Sequence, residues 1–292
     1  MSGIFGWYNP YEKRFAGEQS ATKIFDGKRY TVVYSGELYN CRELRQKLEK
    51  RGYRFETTGD TEVVLNGLFT YGTDFVKQMN GVFAFAFYDE KKEILHLFRD
   101  RIGVKPLFYT KQGETIFFAS EMETLLANSG VKPVLDRKGL NEVFSIGPAK
   151  TYGCGVFKGI DEVLPGHLLS YSKKGSNSSC YWKLISKAHE EGYEETVEKT
   201  ASLLEDAVKR QMVSDVPVCT FLSGGVDSSL VSAICARELK KEGERLHTFS
   251  FDFTGNDKNF HASTFQPSQD RPYVERMVQF LDSEHHYLEC DY

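Results

Sequence analysis

The segment FLSGGVDSS, residues 221–229, constrains the fold of this chain more than any other. It follows the apolar run VPVCT and opens a predicted helix, DSSLVSAICARELKKEG, which ends at a glycine. Gly224 and Gly225 allow a sharp turn between strand and helix, and Gly225 is expected to have a positive φ. The N–H groups at the helix start can bind an anion. No GxxxxGK[ST] pattern is present, which excludes a Walker P-loop.

Two patterns of secondary structure divide the chain. The first half is dominated by predicted strands, such as YTVVYSG at 30–36 and GVFAFAFYD at 81–89, with short helices between them. From about residue 193, helices alternate with strands, as in a parallel sheet. An irregular region rich in glycine, proline and serine, including KKGSNSS, lies between the two patterns. These patterns predict an α+β domain with a connecting region at 1–185 and the start of an α/β domain at 193–292.

Composition and charge exclude several classes of protein. A net charge of −4 provides no basic surface for nucleic acid. The six cysteines show no CxxC spacing, so neither a zinc site nor a redox motif is predicted, and we expect reduced thiols in a cytoplasmic protein. No apolar run reaches membrane length, and no signal peptide is recognisable. His285 and His286 are adjacent on a predicted strand and point to opposite faces, which argues against a metal site formed by this pair.

Ordered matches along nearly the whole chain are more specific than any single motif. The chain resembles the glutamine-hydrolysing asparagine synthetase family in GIFGW, YSGELYN, GDTEVVL, MNGVFAFAFYD, RDRIGVKPLFY, FASEMETLL, LPGH and FLSGGVDSS. The resemblance implies an N-terminal-nucleophile αββα sandwich, followed by the start of a parallel-sheet ATP-pyrophosphatase domain. It also implies ATP and Mg²⁺ as cofactors and aspartate with glutamine or ammonia as substrates. The products would be asparagine, AMP and pyrophosphate.

The resemblance places the glutaminase site at Ser2, Ser35, Gly36, Glu37 and Asp60. Ser2 stands where the family has its cysteine nucleophile, and a hydroxyl needs fuller activation than a thiol. Ser35 replaces the asparagine of the family's NGE motif, which supplies an oxyanion donor. Asp60 matches the aspartate that binds the glutamine amine, and it is equally predicted to be the N-cap of a helix.

The segment between GWYNP and YTVVYSGE departs from the family. There the family carries an arginine motif that clamps the α-carboxylate of glutamine, because a guanidinium binds a carboxylate in bidentate fashion. This chain has only YEKRFAGEQSATKIFDGKR. Arg14 and Arg29 lie in no matching motif and are predicted to be surface-loop residues. An internal deletion, an incomplete sandwich and an impaired glutaminase site are therefore expected.

The resemblance also implies a nucleotide site in the second domain. The residues expected to bind ATP and pyrophosphate are Leu222, Ser223, Gly224, Gly225, Asp227, Ser228 and Phe251. Leu222 and Phe251 match positions that pack around adenine, although both equally suit the core at a strand end. Asp227 is expected to hold Mg²⁺ through pyrophosphate, because a carboxylate with phosphate oxygens is ordinary magnesium chemistry.

Three functional hypotheses follow. The first is an asparagine-synthetase-like, ATP-dependent ligase of which this chain is the N-terminal part, because the family's synthetase domain continues beyond this length. The second is an adenylating enzyme like β-lactam synthetase or a lasso-peptide cyclase, with a degenerate glutaminase domain, and serine at position 2 favours it. The third is a non-catalytic binding or scaffold module. The sequence does not determine the oligomeric state, and a homodimer is one alternative.

Overall fold

The computed structural model describes residues 3–18, 20–145, 147, 149–214, 216–264 and 268–291. The chain divides into two compact units, Met1–Ser186 and Lys187–Tyr292. The strands of the first unit are β1 (Phe5–Asn9), β2 (Arg14–Gly17), β3 (Ser20–Phe25), β4 (Lys28–Leu38), β5 (Gly81–Asp89), β6 (Ile94–Arg99), β7 (Phe108–Gln112), β8 (Thr115–Ala119), β9 (Ile160–Glu162), β10 (His167–Ser172) and β11 (Gly175–Cys180). Its helices are α1 (Cys41–Glu49), α2 (Asp60–Tyr71), α3 (Met122–Asn128) and α4 (Arg137–Ser145), with a 3₁₀ helix at Gly72–Gln78.

Two antiparallel sheets form the centre of the first unit. One has the strand order β2-β1-β8-β7-β9, and the other has the order β11-β10-β6-β5-β4-β3. Side chains from one face of each sheet share a core, for example Tyr8 and Phe118 with Leu97. On the outer face of the six-stranded sheet, α1 and α2 pack against the phenylalanines of β5. On the outer face of the five-stranded sheet, α3 packs through Leu125. The predicted αββα sandwich is therefore confirmed.

Strand β5 shows why the sequence forms this sandwich. Its phenylalanines at 83, 85 and 87 enter the core beneath α1 and α2, whereas Ala84 and Ala86 enter the core between the sheets. Because side chains alternate along a strand, a strand buried on both faces is apolar nearly throughout. β5 also pairs with β4 over nine residues, from Tyr30↔Asp89 to Leu38↔Gly81.

Some segments predicted to be irregular or loop are in fact strands. The residues of β11, GSNSSC, are exposed at every position, yet they pair with β10 from His167↔Cys180 to Ser172↔Gly175. Arg14 lies on β2 and Arg29 on β4, so the surface-loop prediction for both was wrong, although both side chains are exposed. β2 and β11 form through backbone pairing, which a search for apolar alternation does not detect, whereas Arg29 lies at the start of β4, just before the predicted strand at 30–36.

A buried aspartate organises the loop that follows β6. Asp100 is only 1% exposed. Its Oδ1 accepts hydrogen bonds from the N–H groups of residues 102, 103 and 104 at 3.1, 2.7 and 3.0 Å. Its Oδ2 accepts from the Lys105 N–H at 2.9 Å and from the Phe83 N–H at 3.3 Å. The charged stretch RDRIGVKP is therefore built around a structural carboxylate.

The second unit contains a three-stranded parallel sheet with the order β12-β13-β14. Its elements are α5 (Tyr193–Gln211), β12 (Cys219–Phe221), α6 (Val226–Lys241), β13 (His247–Phe253), α7 (Asn256–Asn259), α8 (Arg271–Leu281) and β14 (Glu284–Cys290). The predicted parallel sheet is confirmed. A small core joins Cys235 and Leu239 of α6 to Leu246.

The six cysteines are free thiols, as the sequence predicts. Within the described part of the chain, no helix is both long and apolar enough to cross a membrane.

Candidate functional site

The start of the chain is fixed to the end of β8 directly after the proposed nucleophile. Ser2 itself lies outside the described residues. The Ile4 N–H donates to Ser120 Oγ at 3.0 Å, and the Ser120 N–H donates to the Ile4 carbonyl at 2.9 Å. Ile4 is buried in the core between the two sheets.

The end of β4 and the start of α2 bring the other glutaminase candidates together. Asp60 Oδ2 accepts a hydrogen bond from the Leu38 N–H at 2.6 Å, which places this carboxylate beside the segment that carries Ser35, Gly36 and Glu37. The N-cap of α2 is Gly59, and no side chain caps this helix. The prediction of Asp60 as the N-cap was therefore wrong, because its carboxylate is used by β4 instead.

Gly36 is required by a close approach of two strands. A Cβ atom at this position would lie 2.2 Å from the Val82 carbonyl oxygen and 2.6 Å from Phe83 Cα, and φ is +153°. Ser35, one residue earlier, is buried, whereas Glu37 is exposed. The strand thus presents a buried hydroxyl, a bare backbone and an exposed carboxylate in succession.

The surroundings of Asp60 are acidic and partly shielded from water. Burial, followed by the hydrogen bond to Asp60, raises the pKa of the Cys41 thiol to about 12. Burial, followed by the charges of Asp60 and Glu37, holds the pKa of Tyr34 well above its usual value. The Tyr34 hydroxyl is buried and has no hydrogen-bond partner among the described residues. Burial is the largest cause of both shifts, and the negative charge of Asp60 contributes to each.

Both arginines of the shortened segment lie near carboxylates of the protein itself. Arg14 pairs with Glu12 at 3.7 Å, and Arg29 pairs with Glu90 at 3.5 Å. Both guanidinium groups are thus engaged with carboxylates of the protein itself. This arrangement agrees with the expectation that they do not replace the family's arginine motif.

In the second unit, the loop between β12 and α6 is organised by its own serines. The Ser223 N–H donates to Ser228 Oγ at 3.2 Å, and the two hydroxyl oxygens lie 2.9 Å apart. The Gly225 N–H lies 3.4 Å from Ser223 Oγ. Leu222 is buried at the strand end, where its N–H donates to the Phe249 carbonyl at 2.8 Å. Hydrogen bonds that involve the serine hydroxyl groups therefore fix the conformation of this loop, which lies beside the N-terminus of a 16-residue helix.

The two adjacent glycines have different roles. Gly224 has φ +76°, and a Cβ atom there would lie 2.7 Å from Tyr273 Cβ and 3.1 Å from the Val274 nitrogen. Gly225 is the N-cap of α6 with φ −75°, and its nearest neighbour would be Ser223 Oγ at 3.4 Å. The expectation of a positive φ at Gly225 was wrong. The strained position is one residue earlier, where the loop passes against α8.

An open cavity of about 470 Å³ lies beside this loop. Its walls include Leu222, Ser223, Ser228 and Phe251. Phe251 is 57% exposed, so it is not a core residue here. Gly224, Gly225 and Asp227 do not line the cavity, and the Asp227 side chain is exposed in the first turn of α6. The structure thus brings four of the seven candidates to one cavity at the carboxyl ends of parallel strands, where α/β sheets bind ligands.

The cavity also contains a cationic group that was not predictable from the sequence. Arg271, at the start of α8, lies 4.4 Å from the centre of the Tyr287 ring. Its guanidinium also approaches Asp252 at 3.9 Å and Glu289 at 3.7 Å. The sequence signal was the DRP at the start of a helix, but only the sheet register places Arg271 beside β13 and β14.

Both halves of the chain match known protein families. A family described as glutamine amidotransferase domain matches residues 1–182, and one described as asparagine synthase matches residues 199–291. The chain is 49% identical over 271 residues to asparagine synthetase [glutamine-hydrolyzing] 3 of Bacillus subtilis, covering 92% of this chain and 44% of that protein.

More distant relatives show the same partial coverage. A putative asparagine synthetase 2 of Methanocaldococcus jannaschii is 34% identical over 265 residues, which is 88% of this chain and 47% of that protein. Amidase chyE of Penicillium rubens is 32% identical over 269 residues, which is 89% of this chain and 39% of that protein. The chain thus spans less than half the length of each of these relatives.

Proposed function

Because this chain belongs to the glutamine amidotransferase domain family and continues into an asparagine synthase domain, we propose that it carries the glutaminase-like domain and nucleotide loop of an ATP-dependent, amide-forming ligase. The proposed substrates are aspartate, ATP and either glutamine or ammonia. The single observation that best supports this function is the cavity lined by Leu222, Ser223, Ser228 and Phe251, next to the start of α6.

The proposed chemistry requires a site that holds polyphosphate. An oxygen of the aspartate side chain would attack the α-phosphorus of ATP, and pyrophosphate would leave. Ammonia would then attack the acyl carbon, and AMP would leave with the bond electrons. The N–H groups of the loop and the positive end of α6 favour the negative charge of the departing pyrophosphate. Phe251 is 57% exposed and supplies apolar surface on which adenine can pack, and Leu222 lies at the wall of the same cavity.

The residue that we propose as the Mg²⁺ ligand is Asp227. Its carboxylate is exposed in the first turn of α6, and one protein carboxylate with substrate phosphates is a usual donor set for this ion. When bound, Mg²⁺ would neutralise the phosphate charge. The carboxylate would hold the ion beside the loop, and the serine hydroxyls would orient the phosphate oxygens.

Calorimetric titration of the folded chain with MgATP would test the proposed nucleotide site. Wild type is expected to bind, and Asp227→Asn is expected to bind about 10-fold or more weakly, because the neutral amide is a poorer magnesium ligand. Asp206→Asn is the matched control, since Asp206 is an exposed helical aspartate paired with Arg210. A folded wild-type chain that does not bind MgATP would contradict the proposed nucleotide site.

In the glutaminase-like half, we propose that Asp60 and Glu37 receive the α-amine of glutamine and that turnover is impaired. Support comes from the Asp60 carboxylate, which lies beside the end of β4 that carries Glu37, and from the pairing of Arg14 and Arg29 with protein carboxylates. Turnover would be impaired further because the serine hydroxyl at position 2 is a weaker nucleophile than a cysteine thiol.

We therefore expect no steady release of glutamate from glutamine, and Ser2→Cys alone should not restore it. A coupled glutamate assay on wild type, Ser2→Cys and Ser2→Ala measures this. Steady glutamate release that Ser2→Ala abolishes would show that the site is active.

A further inference from the structure

Strands β13 and β14 bring together three side chains that lie far apart in sequence. The parallel register pairs His247 with Glu284 and Phe249 with His286, so His247, Glu284 and His286 share one face of the sheet. Each offers a ligand atom, and these atoms lie within 4.8 Å of one another. We propose that His247, Glu284 and His286 form a binding site for a divalent transition-metal ion, with Zn²⁺ as the expected occupant.

The spacing of the three atoms fits a zinc ion. His247 Nδ1 lies 3.2 Å from His286 Nε2, and Glu284 Oε1 lies 3.8 Å from the first nitrogen and 3.7 Å from the second. A circle drawn through a triangle with these sides has a radius of about 2.1 Å, which is close to the usual zinc bond lengths to imidazole nitrogen and carboxylate oxygen. A small inward movement of the carboxylate would leave room for a fourth, tetrahedral ligand such as water.

The chemistry of the three groups also suits zinc. Two imidazoles and one carboxylate are a donor set that zinc uses in sites with one open position. Within the described residues, the Glu284 carboxylate has no lysine or arginine within 4 Å, and its ionic neighbours are the two histidines. No protein cation there competes with a metal ion for this carboxylate.

Neighbouring rings hold the histidines in place. The rings of His247 and His286 are stacked with an angle of 8° between their planes, and His286 also stacks on Phe249 at 4.8 Å. His285 belongs to the other face, where its Nδ1 lies 2.8 Å from Thr248 Oγ1. The adjacent pair His285–His286 is therefore not the ligand pair, but His286 finds a partner on the next strand.

A hydrogen bond between the two imidazoles is the competing explanation of the 3.2 Å distance. It requires no metal, so direct measurement of metal binding separates the two. Cys180, Cys219 and Cys290 are exposed thiols that could bind zinc themselves. All chains in the experiment should therefore carry serine at these three positions.

The experiment titrates the metal-free chain with Co²⁺, followed by its visible absorption, and then displaces Co²⁺ with Zn²⁺. His286→Phe keeps a ring on Phe249 but removes a ligand, and we expect it to weaken metal affinity on the order of 100-fold or more. Glu284→Gln, at an exposed position, should weaken it about 10-fold or more. His285→Gln is the matched control, since it removes the neighbouring imidazole outside the site, and it should retain wild-type affinity.

Circular dichroism on each variant confirms that it is folded before titration. Failure of folded wild type to bind Co²⁺ would overturn the proposal, as would equal affinity in wild type, His286→Phe and Glu284→Gln. Equal weakening by His285→Gln would also overturn it, because the effect would then not be specific to the three ligands. The site involves none of the residues proposed to bind ATP, so a negative result here leaves the MgATP titration unaffected.

Discussion

Asp100→Ala is expected to lower the free energy of unfolding of the first unit by about 3–5 kcal/mol. The Asp100 carboxylate is almost fully buried and accepts five backbone hydrogen bonds, four of them from the loop at 102–105. Removing it leaves N–H groups without an acceptor, including that of Phe83 in the central strand β5. A buried donor without a partner costs more than the net gain of an ordinary hydrogen bond.

Asp100→Asn keeps the shape of the side chain and separates charge from packing. Both oxygens of the Asp100 carboxylate accept hydrogen bonds from backbone N–H groups. In the asparagine side chain one of these oxygens is replaced by an NH₂ group, which is a donor and would face another donor. We expect a loss of about 2–3 kcal/mol for this variant. Asp74→Ala is the control, since the side chain of Asp74 is 74% exposed and pairs with Lys77 at the surface, and it should cost under about 0.5 kcal/mol.

Tryptophan fluorescence during urea unfolding measures this effect in one unit. The chain has two tryptophans, Trp7 and Trp182, and both belong to the first unit. Their signal therefore reports the unfolding of the sandwich and not that of the second unit. A midpoint for Asp100→Ala equal to that of Asp74→Ala would show that the loop tolerates the loss.

Elements buried on both faces were predictable from sequence, and elements stabilised by backbone pairing alone were not. β5 is recognisable as a buried strand from its sequence, because its alternate residues enter two different cores and are therefore nearly all apolar. β11 carries only small polar side chains, and its conformation follows from the neighbouring β10. The sequence resemblance is confirmed by matches to both families, since many ordered motifs identify a family even where single strands are missed.

Within the candidate sites, local signals were predictable and long-range contacts were not. The strand, glycine turn and helix at 221–229 were all visible in sequence. Which glycine carries the positive φ was not visible, because it depends on the approach of Tyr273 some fifty residues later. The proximity of His247 and His286 likewise depends on the register between β13 and β14. Adjacent positions in sequence carry no information about such contacts.

Gly224→Ala is expected to abolish measurable MgATP binding and to destabilise the second unit. The new methyl group would lie 2.7 Å from Tyr273 Cβ, and alanine at φ +76° adds backbone strain of about 1–3 kcal/mol. Relief of the clash must move the loop that carries Ser223 away from α8 or distort the start of that helix. Either movement disrupts the hydroxyl contacts between Ser223 and Ser228 that shape the proposed phosphate site.

Alanine variants of two further glycines distinguish the effect of backbone strain on stability from the loss of MgATP binding. Gly225→Ala has an unstrained φ and room for a methyl group, so the unit should keep its stability to within about 0.5 kcal/mol. Its methyl group would nevertheless project at the helix N-terminus, where phosphate is proposed to bind, so MgATP affinity should fall. Gly243→Ala is the opposite control, because Gly243 has φ +80° with nothing within 4 Å of the added atom. It should lose stability through strain and keep MgATP affinity.

Calorimetry with MgATP, paired with thermal unfolding followed by circular dichroism, gives both quantities for each variant. The expected pattern is loss of binding and stability in Gly224→Ala, loss of binding alone in Gly225→Ala, and loss of stability alone in Gly243→Ala. Wild-type affinity in Gly225→Ala would place the phosphate away from the helix N-terminus. Wild-type affinity in Gly224→Ala would show that the loop is only a turn, since its geometry could then change without effect on the ligand.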